Sequence, residues 1–192
     1  MKQQELHQRL KPYSMGWSKK SSYTYDEVKP TVDLLNETCA HIPEYVRKFQ
    51  ICGSFRREKG IFGDVEFLIL KSDPSINSYL IQNEIIKLAT KVLVRGNINM
   101  SVIINDIQVD TKIISNEYSW PFALIHFTGS VIMNVILRKE AKRRGYRLNE
   151  YGLFVGDSDN RVTSYGNNNF LTEKDIFDFL NIKYHEPKER NF

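Results

Sequence analysis

Three carboxylates carry the first chemical signal. Asp64 and Glu66 lie two residues apart in Gly63-Asp64-Val65-Glu66-Phe67-Leu68. That run reads as a strand, so both acids leave one face while Val65 and Phe67 point into a core. Asp110 sits in Val109-Asp110-Thr111, within a later strand-like run. If the two strands are neighbours, three carboxylates converge. Crowded like charges are costly unless water or a cation neutralises them. Oxygen donors suit hard cations, Mg2+ first and Mn2+ as an alternative, and no His/Cys cluster offers a zinc site. Such a cluster can hold two Mg2+ ions about 3.5–4 Å apart, the arrangement used for in-line phosphoryl transfer.

Taken alone, an Asp-x-Glu pair is most often the solvated face of a half-buried sheet. What argues for chemistry is Gly53-Ser54-Phe55-Arg56-Arg57, about ten residues upstream. Gly53 lets backbone approach a ligand closely, and Ser54 and Arg57 can bind phosphate oxygens. A phosphate cradle beside a metal cluster is a coherent site.

The elements that must position these groups follow from periodicity. Residues 25–48 read as helical, with Val28, Val32, Leu34 and Leu35 recurring at three-to-four spacing and Pro43 opening a second short segment. Residues 49–52 and 65–70 read as strands, and 78–94 as one amphipathic helix. Residues 99–104 and 107–114 form a hairpin through Asn105-Asp106. Residues 118–147 turn helical, 153–155 and 161–164 pair as a hairpin, and a last helix starts at Thr172 with Asp175 closing a capping box. Residues 1–24 are polar, with a short helix at 5–10 and a linker around Lys19 and Lys20.

Composition limits the partners. The chain has 192 residues, 41% hydrophobic and 26% charged, enough for a folded core and too rich for a disordered tail. Lys plus Arg number 27 against 23 for Asp plus Glu, a net +4 that permits a polyanionic partner without requiring one. Its distribution is more telling. Arg138, Lys139, Lys142, Arg143, Arg144 and Arg147 crowd one short span, with 138 and 142 on one helical face. Cys39 and Cys52 are too few for a disulfide framework and read as small buried hydrophobes in a reducing compartment. Residues 1–11 lack the apolar core of a secretory signal, and no apolar run has membrane-helix length. The expectation is a soluble intracellular protein of nucleus or cytoplasm, or of a viral replication site.

Gly53-Ser54 followed by Asp64-x-Glu66 resembles the nucleotidyltransferase signature. Cys52-Gly53-Ser54-Phe55-Arg56-Arg57, Phe127-Thr128-Gly129-Ser130 and Leu148-Asn149-Glu150-Tyr151-Gly152-Leu153 resemble, in the same order, the motifs of family X DNA polymerases. The tail from Thr172-Glu173-Lys174-Asp175 to Glu189-Arg190 is similar to the end of the polymerase beta-like members. The motifs span roughly residues 25–192, and the minimal size resembles short viral members without an N-terminal lyase domain.

This resemblance implies an α+β fold: a nucleotidyltransferase palm with a mixed β-sheet and flanking helices, and a small C-terminal α/β subdomain. The division it implies is an arm at 1–24, a palm at 25–117 and a nucleotide-selection subdomain at 118–192. It assigns Asp64, Glu66 and Asp110 as metal ligands, with Asp110 also the base or relay for the primer 3′-hydroxyl. Ser54, Arg57 and Gly63 would hold the triphosphate. His126 and Phe127 would sit against the sugar, and Gly129 and Asn134 against base and sugar. Arg138 would touch the template; the charge pattern agrees, adding Lys142, Arg143 and Arg144 as DNA contacts and Lys19 and Lys20 as a second basic patch, with Tyr151 beside them. Without the motif, Phe127 and Asn134 would read as helix-start packing and an exposed polar residue.

Four positions depart from the family pattern: Glu66 and Val131 stand where Asp is usual, Gln108 where Arg is usual, and His126 where the cellular members have Tyr. The expected activity is template-directed addition of dNTPs to a primer on gapped or nicked DNA during base excision repair, by a monomer using two Mg2+ ions, with no membrane partner. Two readings stay open beside it: a nucleotidyltransferase that needs no template, and a DNA-end binding module weakened by Glu66.

Overall fold

A computed structural model describes residues 22–165 and 168–192. The expected helix at 5–10, Lys19 and Lys20 lie outside the described residues.

Helix α1 (Tyr25–Ala40) starts at a capping box in which the Thr24 amide donates to Glu27 Oε2 at 2.8 Å. It buries Val28, Thr31, Val32, Leu35 and Cys39 on one stripe. The helical pattern stops earlier than its periodicity suggests. Strand β1 (Val46–Ile51) already begins at Val46, whose side chain is buried and whose backbone pairs with Lys71, while the charged Arg47 and Lys48 face water on this edge strand. After the single turn α2 (Gly53–Arg56) comes β2 (Val65–Lys71).

The run expected as one helix over 78–94 divides into α3 (Ser78–Ile86) and β3 (Lys91–Arg95). Leu88, Ala89 and Val92 fit a helical stripe, but Val92 and Val94 are β-branched and the edge of β4 (Asn99–Ile104) offers them a ladder. Strand β5 (Ile107–Ile114) follows through the expected Asn105-Asp106 turn, both residues at positive φ.

The five strands run in the order β1-β2-β5-β4-β3. Strands β2 and β5 are parallel neighbours, and the other pairs are antiparallel. One face of the sheet packs Val65, Phe67, Ile69, Val102, Val109 and Ile113 against α1 and α3. On the opposite face Leu68, Leu70 and Ile114 are covered by Ala123 and the half-buried Trp120, Leu124 and Phe127 of helix α4 (Trp120–Thr128).

The helical stretch expected over 118–147 is broken. A 3-10 turn (Glu117–Ser119) leads into α4, which ends at Gly129 with φ +74°, and Ser130 caps α5 (Val131–Arg143) by accepting from the Met133 amide. Residues 146–149 are a strand. Strand β6 (Tyr146–Asn149) pairs with β7 (Gly152–Val155), so the main partner of 153–155 is the preceding strand, not 161–164. The latter still bridges Phe154 through Arg161, and the Val162 amide donates to Leu153 O at 2.8 Å. Short strands β8 (Ser164–Tyr165) and β9 (Asn168–Asn169) precede α6 (Glu173–Phe179). Its expected capping box forms: the Thr172 amide donates to Asp175 Oδ2 at 2.7 Å and the Asp175 amide to Thr172 Oγ1 at 3.3 Å. A second core of Phe122, Ile125, Met133, Leu137, Leu153, Phe170, Ile176 and Phe177 joins these parts.

Cys39 and Cys52 are buried and unpaired, and burial pushes both thiols up to about 12, so they serve as packing groups. Among the described residues, no helix is long and apolar enough to cross a membrane.

Candidate active site

The parallel register of β2 and β5 pairs Glu66 directly with Asp110. Asp64 stands one residue before β2, on the side of the chain that Glu66 shares. The same sheet face is therefore polar at one end, with Asp64, Glu66 and Asp110, and apolar at the other, where α4 lies over Leu68, Leu70 and Ile114. Asp110 is oriented by two neighbours: Ser101 Oγ donates to its Oδ1 at 2.5 Å, and Gln108 Nε2 reaches Oδ1 and Oδ2 at 3.0 and 2.9 Å. Gln108, which departs from the family pattern, thus holds the Asp110 carboxylate.

Glu66 behaves differently. Its Oε2 is buried without a hydrogen-bond partner. Burial raises its carboxyl to about 7, with the Asp64 and Asp110 charges adding to the shift. The carboxylate rests beneath Gly53, where an ideal Cβ would fall 1.7 Å from Oε2. Among the described residues no three His, Cys, Asp or Glu side chains stand together closely enough to hold a metal ion. The two strands are neighbours as expected, yet the extra methylene of Glu66 takes its carboxylate into the hollow at Gly53. The chemistry of the donors is still that of a hard-cation site: three carboxylates on one end of the sheet face, one with a buried oxygen that has no hydrogen-bond partner.

The turn at 53–57 faces this end of the sheet, since the Cys52 amide donates to Glu66 O at 2.7 Å. Ser54 is half-buried. Arg57 Nη1 donates to Thr128 O, and Nε donates to Asn191 Oδ1 at 3.1 Å. Burial lowers its pKa, the nearby Arg190 adds to that, and Glu66 opposes it. A guanidinium remains charged regardless. Gly129 is positioned by this contact, because a Cβ there would come within 2.9 Å of Arg57 Nη1. At Gly63 a Cβ would meet nothing within 4 Å, so that glycine leaves open space.

Beyond the sheet, His126 and Phe127 pack edge to face with centroids 4.8 Å apart. Arg138 Nη2 donates to His126 Nδ1 at 2.7 Å, which requires that nitrogen unprotonated. Burial lowers the His126 pKa, Glu150 opposes the shift, and Arg138 and Lys112 add to it. Asn134 Nδ2 donates to His126 O at 2.8 Å, tying α5 to α4. Tyr151 Oη accepts from the buried Lys112 Nζ at 3.1 Å.

The basic cluster is not uniform. Arg143 is paired with Glu140 at 2.7 Å and Arg144 at 2.7 Å, and these two partners draw the Glu140 carboxyl down to about 2. Arg138 and Lys142 remain exposed on the same helix. Beside them Val131, Ile132, Val135 and Ile136 form an exposed aliphatic stripe.

Sequence reasoning missed a buried charge network. Arg56 holds Glu173 through two hydrogen bonds of 3.0 and 2.6 Å, and Glu173 also accepts from the fully buried Arg190 Nη1 at 2.9 Å. Arg190 lies over the rings of Phe177 and Tyr184. The available signal was weak: Glu173 is in the first turn of a capped helix, where an acid ordinarily needs no further explanation.

A glycine-led turn facing a carboxylate-bearing mixed sheet, with a small α/β unit folded against both, is the arrangement of a nucleotidyltransferase. Two family profiles match the chain, the DNA polymerase beta palm over residues 24–121 and the DNA polymerase beta thumb over 123–191. The Repair DNA polymerase X of African swine fever virus is 31% identical over 145 residues, covering 72% of this chain and 78% of that protein. The Bacillus subtilis DNA polymerase/3'-5' exonuclease PolX is 33% identical over 113 residues, 57% of this chain and 19% of its own length. Among solved structures, a ternary P/T complex of Leishmania infantum polymerase beta matches with TM-score 0.76 and 25% identity, over 91% of this chain and 78% of that one. The chain belongs to the polymerase beta-like DNA polymerases, family X.

Proposed function

We propose that the protein adds dNTPs to a primer 3′-hydroxyl opposite a template, filling short gaps during base excision repair. The observation that carries this reading is the in-register Glu66–Asp110 pair on parallel strands beside the 53–57 turn. Similarity to a protein named a repair polymerase, and to polymerase beta in a ternary P/T complex, supports it.

In this reading, Asp64, Glu66 and Asp110 would hold two Mg2+ ions, which when bound neutralise the triphosphate and lower the pKa of the 3′-hydroxyl. Ser54 and Arg57 bind the β- and γ-phosphates, the guanidinium through charge-assisted hydrogen bonds. Asp110, oriented by Gln108 and Ser101, accepts the 3′-hydroxyl proton at a carboxylate oxygen or relays it. His126 and Phe127 press on the sugar and disfavour a 2′-hydroxyl, and Gly129 and Asn134 border the nucleotide. Arg138, Lys142 and Tyr151 grip the duplex, with Arg143, Arg144, Lys19 and Lys20 adding charge. The active form is a monomer.

A second reading draws on the retracted Glu66 carboxylate: a DNA-end binding module with weak catalysis. Primer extension on gapped DNA with Mg2+ or Mn2+ separates the readings. Template-matched incorporation supports the polymerase, indifferent addition points to a template-independent transferase, and tight binding without incorporation points to the binding module.

A further inference from the structure

We propose that Asn191 is a positioning residue for Arg57, so that the segment 190–192 is a working part of the nucleotide-phosphate site. The proposal rests on the reading that Arg57 binds the triphosphate.

Arg57 and Asn191 are 134 positions apart and hydrogen-bond in both directions. Asn191 Oδ1 accepts from Arg57 Nε at 3.1 Å, while Asn191 Nδ2 donates to Arg57 O at 2.8 Å and to Lys188 O at 3.1 Å. The same amide therefore grips the backbone and the side chain of one residue. Its orientation is fixed by these partners, since a flipped amide would oppose donor to donor and acceptor to acceptor.

The segment that carries Asn191 is itself anchored on either side. Arg190 is fully buried and donates from Nε to His185 O and from Nη1 to Glu173 Oε1, both at 2.9 Å. Glu173 in turn holds Arg56, so consecutive residues of the phosphate turn are tied to consecutive residues of the 190–192 segment. On the other side Ser130 Oγ donates to Phe192 O at 3.1 Å.

With Nε on Asn191 and Nη1 on Thr128 O, two corners of the guanidinium are fixed. Nη2 enters no hydrogen bond among the described residues, and its two N–H groups remain for an anion. A long side chain ordered before its ligand arrives spares the ordering cost at binding. Asn191 touches no reacting atom in this arrangement; it acts through Arg57.

Steady-state single-nucleotide gap filling by Asn191→Ala, Arg57→Ala and the double variant tests the idea. Asn191 is exposed, so its truncation spares the core. The expected result for Asn191→Ala is a KM for dNTP raised about fivefold, as for loss of one hydrogen bond. Its kcat should stay within about twofold, and its affinity for gapped DNA and its Tm should be unchanged. In the Arg57→Ala background, Asn191→Ala should add nothing. If Arg57→Ala raises KM but Asn191→Ala leaves it unchanged, or the two effects simply add, the positioning role is wrong and the phosphate role of Arg57 stands. A lowered Tm with KM unchanged would mark Asn191 as structural only and likewise overturn the proposal. If Arg57→Ala itself leaves KM unchanged, the phosphate reading fails first and takes the proposal with it.

Discussion

The Glu66 carboxylate fills the space that any side chain at position 53 would need: an ideal Cβ on Gly53 lies 1.7 Å from Oε2 and 2.1 Å from Cδ. Gly53 is thus required twice, once for its φ of +58° and once for the hollow it leaves.

Gly53→Ala must either expel Glu66 or distort the turn that carries Ser54 and Arg57. The expected outcome is a stability loss of about 1–3 kcal/mol in denaturant titration, with incorporation on gapped DNA reduced at least about tenfold. A variant with wild-type stability and rate would show that neither the conformation nor the space matters.

The raised Glu66 pKa makes stability depend on pH. The folded-state value, about 7, lies above the ordinary carboxyl value of 4.5, so the folded protein holds this proton more tightly than the unfolded chain. Its contribution is fully present below pH 4.5 and is lost as pH rises through 7. In EDTA, the wild type should lose on the order of 3 kcal/mol relative to Glu66→Gln between those limits. Parallel stability profiles for the two proteins would contradict this account.

The cations of α5 and its C-terminal cap divide into Arg138 and Lys142, which have no acidic partner among the described residues, and Arg143 and Arg144, which are paired with Glu140. Arg138→Gln and Lys142→Gln should each lower the slope of log affinity for gapped DNA against log salt by about one. Arg143→Gln and Arg144→Gln should change it less, because Glu140 already pairs with both. Equal slopes for all four variants, measured by fluorescence anisotropy, would remove the distinction.

Glu173 balances one fully buried and one half-buried guanidinium. Removing it leaves Arg190 uncompensated, and Glu173→Ala should cost on the order of 3–5 kcal/mol in urea unfolding. A loss below about 1 kcal/mol would mean that Arg190 finds other partners.

That Asp64 and Glu66 share a sheet face was foreseeable because strand periodicity fixes side-chain faces, and a buried run such as Phe67–Leu70 has few alternatives to a central strand, whereas the in-register pairing with Asp110 depended on β5 lying beside β2. The capping box at Thr172 was equally local. Strand β3 was not, because Val92 satisfies a helical stripe and an edge strand alike, and only the open edge of β4 decides between them. The conformation of Glu66 depends on a glycine thirteen positions upstream across a turn, which no periodicity encodes. The Arg56–Glu173–Arg190 and Arg57–Asn191 links join residues up to 134 positions apart, beyond the reach of any local pattern.

That separation bears on how the molecule is made. During synthesis the carboxylate sheet, complete by Ile114, can form while much of the chain is still unmade. The guanidinium of Arg57 acquires its second anchor only after residue 191 has left the ribosome. Arg57 is therefore fully anchored only well after the strands beside it are made, and a nascent chain can pair its central strands before this guanidinium has both of its contacts.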